Sequence, residues 1–279
     1  MAETTQSGPA VTVIRARRGW EVLSLREMWR YRELACFLCW RDIKVRYKQT
    51  ALGILWAFIQ PFTKMVVFTL VFGQLAKIDS EGFPYSVFMF AGLLPWQFFS
   101  EALNRSSQSV VNSSHLITKV YFPRLIIPVS SIGACLVDFA VSFLVLAGLM
   151  VYYSVPPTAA LLMVVPLTLC TILAALGVGA LLSALEVRYR DFRHAVPFLV
   201  QVWMFLTPVI YPVSMVPEKW RWLLMLNPMS GIVDAWRSAL LGRPFDWGYL
   251  SVSFGVAVLV LIGSLIYFQK LEREFADVV

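Results

Sequence analysis

The chain has 279 residues, of which 58% are hydrophobic and 15% are charged, and its formal net charge is +7. Soluble domains carry charge on about a quarter of their residues, and a mean hydropathy of +0.69 is too apolar for one soluble core. Several apolar runs are long enough to cross about 30 Å of hydrocarbon as helices. The composition therefore predicts an all-α polytopic membrane protein. Its basic residues are expected to orient the spans and contact membrane lipids rather than nucleic acid.

Six spans are predicted in chain order, separated by more polar connections. They cover residues 52–76, 85–103, 125–152, 159–185, 195–212 and 247–268. The leader 1–51 holds ten Lys and Arg residues, whereas the connections 77–84 and 153–158 hold one and none. Because Lys and Arg stay on the cytoplasmic side of a membrane, both termini are expected in the cytoplasm. The chain thus divides into the cytoplasmic leader, a transmembrane domain at 52–268 and a cytoplasmic tail at 269–279.

The leader is predicted to contain a helix that lies on the cytoplasmic surface of the membrane. One helical face is apolar and carries Cys36, Trp40, Ile43 and Tyr47, which recur at helical spacing. A neighbouring face is cationic and carries Arg41, Lys44 and Lys48. This pattern is typical of an amphipathic interfacial helix. A solvated basic flank that only sets the topology is the alternative.

Two ionisable residues lie near the middle of predicted spans, Lys64 in the first and Asp138 in the third. An unpaired charge at this depth costs about 2.5–3.5 kcal/mol on insertion scales. Each residue is therefore expected to face a partner within the bundle or a hydrated path, and an ion pair between the two is one hypothesis. Pro61 lies about one turn before Lys64 and is expected to kink the first span.

The connection 104–124 is predicted to hold a short cytoplasmic helix at about 113–121. It is too long for a tight turn and too polar to span, and its apolar positions are Leu116, Ile117, Val120 and Tyr121. Pro123 ends the helix, because a residue before proline avoids the α region. A plain surface connection is the alternative.

The connection 213–246 is predicted to form two short helices on the outer face. Pro217 opens the first, which carries Trp220, and Gly242 ends the second, which carries Trp236. Each is too short to cross a bilayer, so both are expected to lie at the interface or to enter the bilayer and return. Such backbone is tolerated at depth only where protein or a water-filled cavity covers it.

The sequence carries no signature of catalysis. It has no G-x-x-x-x-G-K-[ST] phosphate loop, and its two histidines, His115 and His194, are far apart. No spacing of Cys, His and carboxylate residues suggests a metal site. A transport subunit is therefore favoured over an enzyme, and uphill transport would need an ion gradient or a second subunit as its energy source.

Five motifs, in order and on the predicted sides, resemble the permease subunits of type-2 ABC exporters. They are WRDIKVRYKQTALGILWAFIQP at the first span, KVYFPR followed by IIP after the second, YRD after the fourth, FLTPVIYP in the fifth, and LNPM with Arg237 after it. The resemblance runs from about Val13 to about Gln269. It is closest to the exporters of lipid-linked O-antigen, teichoic acid or capsule chains.

This resemblance implies a homodimer in the bacterial inner membrane, bound to two copies of a cytoplasmic ATP-binding subunit. That subunit binds MgATP, so no cofactor is expected in this chain, and the substrate would be a lipid-linked polysaccharide. The leader helix would be an interface helix beside the ATPases. Its candidate residues are Trp40, Arg41, Lys44 and Lys48.

The same resemblance implies a coupling helix at about 112–124 and two re-entrant gate helices at about 217–241. Candidate contacts to the ATPase are Asn112, Leu116, Lys119, Phe122 and Arg124. The channel and gate candidates are Lys64, Asp138, Trp220, Trp236 and Arg237.

Three alternatives stay open on sequence alone. A type-2 exporter of small drugs or lipids would share the same motifs. An ion-coupled secondary transporter would use Lys64 or Asp138 as a relay. A membrane-embedded glycosyl- or phosphotransferase is disfavoured, because no cluster of carboxylates or histidines gathers at one membrane face.

Overall fold

The computed structural model describes residues 25–48 and 55–272. Eleven α-helices are numbered along this part of the chain: α1 (Leu25–Arg30), α2 (Arg32–Lys48), α3 (Leu55–Phe68), α4 (Tyr85–Asn112), α5 (Ser114–Ile117), α6 (Ile126–Tyr152), α7 (Val164–Arg188), α8 (Phe192–Leu206), α9 (Glu218–Met225), α10 (Ser230–Leu241) and α11 (Trp247–Glu272). A π-helix at Thr69–Leu75 continues α3, and a 3-10 helix at Ala159–Met163 leads into α7. These residues include no strand, which confirms the all-α prediction for them. Residues 1–24 of the predicted leader, residues 49–54 at its junction with the first span, and residues 273–279 of the predicted tail lie outside the described residues.

Four helical segments are long and apolar enough to cross a membrane: Leu55–Leu75, Ile126–Tyr152, Ala159–Arg188 and Trp247–Glu272. They correspond to the predicted first, third, fourth and sixth spans. The α8 helix has 15 residues, or about 22 Å at 1.5 Å per residue, which is shorter than the hydrocarbon core. The α4 helix has 28 residues, but its C-terminal third is polar. The second and fifth spans therefore remain expectations.

The helix that carries the second predicted span, 85–103, extends beyond it, because α4 continues unbroken to Asn112. The extension contains the buried residues Ser106, Ser107 and Ser109. The Ser109 hydroxyl donates to the Ser106 carbonyl at 2.7 Å. The Ser107 hydroxyl likewise donates to the Asn104 carbonyl at 3.2 Å, and a hydroxyl that bonds to a carbonyl one turn back is satisfied within its own helix. The Ser106 hydroxyl has no partner among the described residues.

The helix of the fifth predicted span, 195–212, is shorter than that span, because α8 ends at Leu206, immediately before Thr207. Thr207 is extended, with φ −104° and ψ 137°. Pro208 follows it, and a proline ring clashes with an α-helical conformation of the preceding residue. The Asn227 side chain holds this break by donating to the Thr207 hydroxyl at 2.9 Å. The segment after α8 is consequently non-helical and turns back toward α10.

The central helix of the bundle is α4, which packs mainly against α6 and α7 and also contacts α8 and α10. The α7 helix lies between α4 and α11. It packs against α11 at Gly177, where an added Cβ would lie 2.9 Å from the Leu261 Cα atom. Gly179 lies against Ser106 of α4 in the same way. These two small residues allow the close approach of neighbouring helices.

The α2 helix packs against α6 with a face that overlaps only in part with the one predicted to be apolar. Leu38 is buried, whereas Cys36 and Trp40 are exposed. Burial raises the pKa of the Cys39 thiol, and the neighbouring Asp42 carboxylate adds to the rise. The docked face also carries Arg46, which forms an ion pair with Asp138 of α6, so apolar periodicity alone does not define this face. An interfacial position for the exposed apolar face stays a prediction.

Candidate functional site

One end of the bundle gathers the leader, the connection 104–124 and the end of the last helix. A buried cluster at this end contains Leu38 of α2, Ile117 of α5, Phe122 of the following turn and Leu271 of α11. The sequence predicts these segments on one side of the membrane, and the structure brings them to one end of the bundle.

The predicted coupling helix is shorter than expected, because α5 covers Ser114–Ile117 instead of 113–121 and the chain then turns. Ile117 and Phe122 are both buried, with 6% and 4% of their surface exposed. Two residues that are five positions apart on an α-helix point in directions about 140° apart around the helix axis. A straight helix would therefore place the side chains of Ile117 and Phe122 on different faces. The chain turns between them and leaves Lys119, Val120 and Tyr121 exposed at a tip.

Arg124 and Phe122 anchor this tip to the bundle. The Arg124 backbone N–H donates to Glu272 Oε1 at 2.9 Å, and its guanidinium donates to the Glu272 carbonyl. Among the other predicted coupling residues, Asn112 and Lys119 are exposed and Leu116 is partly buried. The exposed tip can meet a partner, while the anchors tie it to α11.

The interface-helix candidates lie on the surface of α2. Trp40, Arg41, Lys44 and Lys48 are all exposed. Trp40 is 64% exposed, and the neighbouring Phe37 is 65% exposed. This face is free to contact a membrane surface or another subunit, and its role stays a prediction.

A polar cavity of about 350 Å³ lies between α2, α3, α4 and α6. Its polar lining residues are Arg46, Tyr47, Gln60, Lys64, Gln97, Ser100, Glu101, Arg105, Asp138 and Ser142. Aromatic faces come from Trp56, Phe98 and Phe139, and the last two rings meet edge to face at 5.3 Å. Both charged residues placed within spans by the sequence, Lys64 and Asp138, therefore meet at one cavity.

Asp138 is not paired with Lys64 as hypothesised. Its carboxylate forms an ion pair with Arg46 Nη1 and accepts a hydrogen bond from the Tyr47 hydroxyl. Among the described residues, Lys64 has no carboxylate oxygen within 4.0 Å of its ammonium nitrogen. The leader helix, rather than the first span, supplies the cation for Asp138. Arg46 lies between Lys44 and Lys48 of the predicted interface helix, but helical spacing alone did not indicate that it turns toward α6.

Two of the gate candidates, Trp236 and Arg237, are fully buried within the chain. The Trp236 indole N–H donates to the Thr171 hydroxyl at 3.3 Å, and its ring lies edge to face with Phe139 at 5.7 Å. These contacts join α10 to α7 and α6. Trp220, the third candidate, is 52% exposed on α9. A gating role for all three stays a prediction.

The Arg237 guanidinium is enclosed by α4 and the segment that follows α8. It lies 4.0 Å from the centre of the Phe88 ring. It donates to the Tyr211 carbonyl at 3.3 Å and to the Val209 carbonyl. An added Cβ at Gly92 would lie 2.7 Å from its Nη2 atom. A glycine in α4 thus makes room for an arginine that satisfies carbonyls in non-helical backbone.

At the end of the bundle opposite the leader helix, polar side chains join the connections 77–84 and 213–246. Glu81 Oε2 lies 2.7 Å from Arg243 Nη1, and the Ser214 hydroxyl donates to Glu81 Oε1 at 3.0 Å. These are the two connections that the sequence places on the side away from the leader.

Asn227, the asparagine of the LNPM motif, fixes the entry to α10. Its Oδ1 accepts from the Trp203 indole N–H at 3.1 Å and from the Met229 backbone N–H at 3.0 Å. The motif was recognised from the sequence, but the bonds from the α8 helix and the turn depend on tertiary contacts.

A polytopic helical bundle with a charged leader helix docked at one end and a polar cavity among its helices is the architecture of a membrane transport subunit. The chain belongs to the ABC-2 type transporter family, which matches it over residues 33–241. This family match confirms the resemblance that the five motifs indicate.

Named relatives cover most of the chain. It is 31% identical to the O-antigen export system permease protein RfbA of Myxococcus xanthus, over 91% of this chain and 98% of the relative. It is 27% identical to the O-antigen export system permease protein RfbA of Klebsiella pneumoniae, over 85% and 92% of the two chains. It is 24% identical to the polysialic acid transport protein KpsM of Escherichia coli, over 79% and 84%.

Proposed function

We propose that this chain is the membrane-spanning permease subunit of an ATP-driven exporter that moves a lipid-linked polysaccharide across the bacterial inner membrane. The observation that carries the proposal is family membership over residues 33–241, together with relatives named as O-antigen and polysialic acid transporters. Two copies of the chain assemble with two copies of a separate ATP-binding subunit, which binds MgATP on the cytoplasmic side.

The tip formed by Lys119, Val120 and Tyr121 is the coupling surface for that ATPase. Its exposure and its position beside the leader helix support this assignment. Movement of the tip passes to α6 directly and to α11 through Arg124 and Glu272. Rigid elements joined in this way transmit subunit closure as tilting of whole helices.

The end of the bundle opposite the leader helix forms the exit for the polysaccharide. The helices α9 and α10 are too short to span, at 8 and 12 residues, and α9 carries exposed Trp220 and Trp222. Large apolar side chains on a short helix at the outer end fit a position in the membrane interface. Buried α10 anchors this gate to the bundle through Trp236 and Arg237.

Co-expression with the ATP-binding subunit of the same exporter tests the assembly. We expect co-purification, and we expect a strain lacking the permease to accumulate lipid-linked polysaccharide in the cytoplasm. Failure to co-purify would overturn the exporter assignment. Export of a small drug with no accumulated polysaccharide would favour the other branch of type-2 exporters.

The substitution Lys119→Glu tests the coupling surface. We expect the variant to insert and to hydrolyse ATP with its partner but to lose most polysaccharide export, because a reversed charge changes the contact at the tip. The matched control is Lys77→Glu, which makes the same change at an exposed lysine on the opposite end. Full export by Lys119→Glu would show that the coupling surface lies elsewhere.

A further inference from the structure

The polar cavity between α2, α3, α4 and α6 has more cationic than anionic side chains. Arg46, Lys64 and Arg105 face only two carboxylates, Glu101 and Asp138. Each carboxylate is already engaged by an arginine, Asp138 by Arg46 and Glu101 by Arg105 at 2.6 Å. Glu101 also attracts the Lys64 ammonium through space, but no carboxylate in the described part of the chain forms an ion pair with it. One positive charge thus faces the cavity without a dedicated counter-ion.

Arg46 presents donors that the described residues do not satisfy. Asp138 takes only its Nη1 atom. The Nε and Nη2 atoms are buried and have no hydrogen-bond partner among the described residues. A buried donor without an acceptor is costly, and a guanidinium edge of two N–H groups matches two oxygens of a phosphate or carboxylate. The free edge of Arg46 therefore favours an anion with paired oxygens.

The surroundings of the cavity favour an anion attached to an amphiphile. Its α3 wall carries Gln60 and Lys64, while Trp56, Phe62 and Val67 of the same helix are exposed. Trp56 lies at the cavity itself and offers a flat apolar face. A ligand could therefore place an acidic group against Arg46 and Lys64 while its apolar portion lies along the outer surface of α3.

We propose that this cavity binds the acidic phosphate or diphosphate group that joins a polysaccharide to its lipid carrier, with Arg46 and Lys64 contacting phosphoryl oxygens. The inference rests on the proposed function, since it assigns a recognition site for the substrate of that exporter. Asp138 orients Arg46 by holding one end of the guanidinium and leaves the other end for the ligand.

The test uses the full chain with its ATP-binding partner in phosphatidylcholine nanodiscs, and a fluorescent short-chain polyprenyl diphosphate as the probe. Saturable binding is expected to weaken about tenfold in Arg46→Gln and in Lys64→Gln, the size of one charge-assisted contact. The control is Arg32→Gln, which removes an exposed cation from the same leader helix away from the cavity. Competition with inorganic pyrophosphate and with phosphatidylglycerol separates a free phosphate and a common anionic lipid from the carrier.

The substitution Asp138→Asn separates a ligand site from a structural ion pair. It removes a negative charge beside the anionic probe and leaves an amide oxygen that can still accept from Arg46 Nη1, so probe affinity should be retained or increase, opposite to Arg46→Gln. A parallel loss of affinity in both variants would mean that the pair only supports the fold and would overturn the proposal. Equal affinity for phosphatidylglycerol, or binding unchanged by Arg46→Gln and Lys64→Gln, would also overturn it.

The outcome also separates this inference from the proposed function. No probe binding by a complex that assembles and exports polysaccharide would refute the cavity site and leave the exporter assignment intact. A chain that does not assemble with the ATPase would refute both.

Discussion

Replacement of the buried Arg237 by methionine is expected to destabilise the outer end of the bundle. Methionine fills much of the same volume but cannot donate to the Val209 and Tyr211 carbonyls, which lie in the non-helical segment after α8. Each buried carbonyl left without a donor costs about 1–3 kcal/mol. The relief from burying a guanidinium offsets part of this loss. We expect the free energy of unfolding to fall by about 3 kcal/mol.

The measurement is reversible unfolding in mixed micelles with increasing dodecyl sulfate, followed by tryptophan fluorescence. The control is Arg221→Met, since Arg221 also donates to two carbonyls, of Val216 at 3.0 Å and Ser214 at 3.3 Å. Its side chain is 38% exposed, so water can replace those bonds, and a change of about 0.5 kcal/mol is expected. Equal effects of the two substitutions would refute the argument that burial sets the cost.

A second variant perturbs the same contact from the other side. In Gly92→Ala the new methyl group would lie 2.7 Å from Arg237 Nη2 and 3.0 Å from Cζ, so the guanidinium must move away from its carbonyls. If this is the mechanism, the effects of Gly92→Ala and Arg237→Met should be less than additive, because both break one set of bonds. Full additivity would place the effect of Gly92→Ala elsewhere in α4.

Two further predictions concern helix packing and the LNPM motif. Gly177→Val should reduce folded yield and thermal stability in detergent, because its Cβ would lie 2.9 Å from the backbone of Leu261. The control Gly148→Val should be tolerated, because an added Cβ there meets no atom within 4 Å. Equal yields of the two variants would contradict the close approach of α7 and α11. Asn227→Ala should lower the unfolding free energy by about 1–3 kcal/mol, because the Trp203 and Met229 N–H groups lose their acceptor, and a wild-type melting temperature would contradict it.

Some elements follow directly from local sequence. The apolar runs that became α6, α7 and α11 were placed within a few residues, because about 20 or more predominantly apolar residues have few alternatives to a membrane helix. The ends of α4 and α8 were not. Hydropathy ended the second span at residue 103, although buried serines continue the helix, and it extended the fifth through Pro208, where the backbone leaves the α region.

The candidate site likewise has features that local sequence predicted and features that depend on tertiary contacts. Motif order was enough to identify the family, and the family match over residues 33–241 confirms it. Lys64 and Asp138 were singled out because a charge within a membrane span is costly wherever it lies. Their arrangement was not predictable, because the Asp138 partner comes from 92 positions earlier in the chain, at Arg46. Nothing in helical periodicity relates two such residues.

The sequence by itself determined what each segment had to avoid: apolar runs had to leave water, charges had to find partners, and prolines had to end or bend helices. These are local requirements, set by the chemistry of each side chain. Only the tertiary structure decided which partners meet. It docked α2 against α6 through Arg46 and Asp138, buried Phe122 beneath the exposed tip and enclosed Arg237 beside a glycine. Such choices depend on which helices become neighbours, and that is a property of the whole packed bundle.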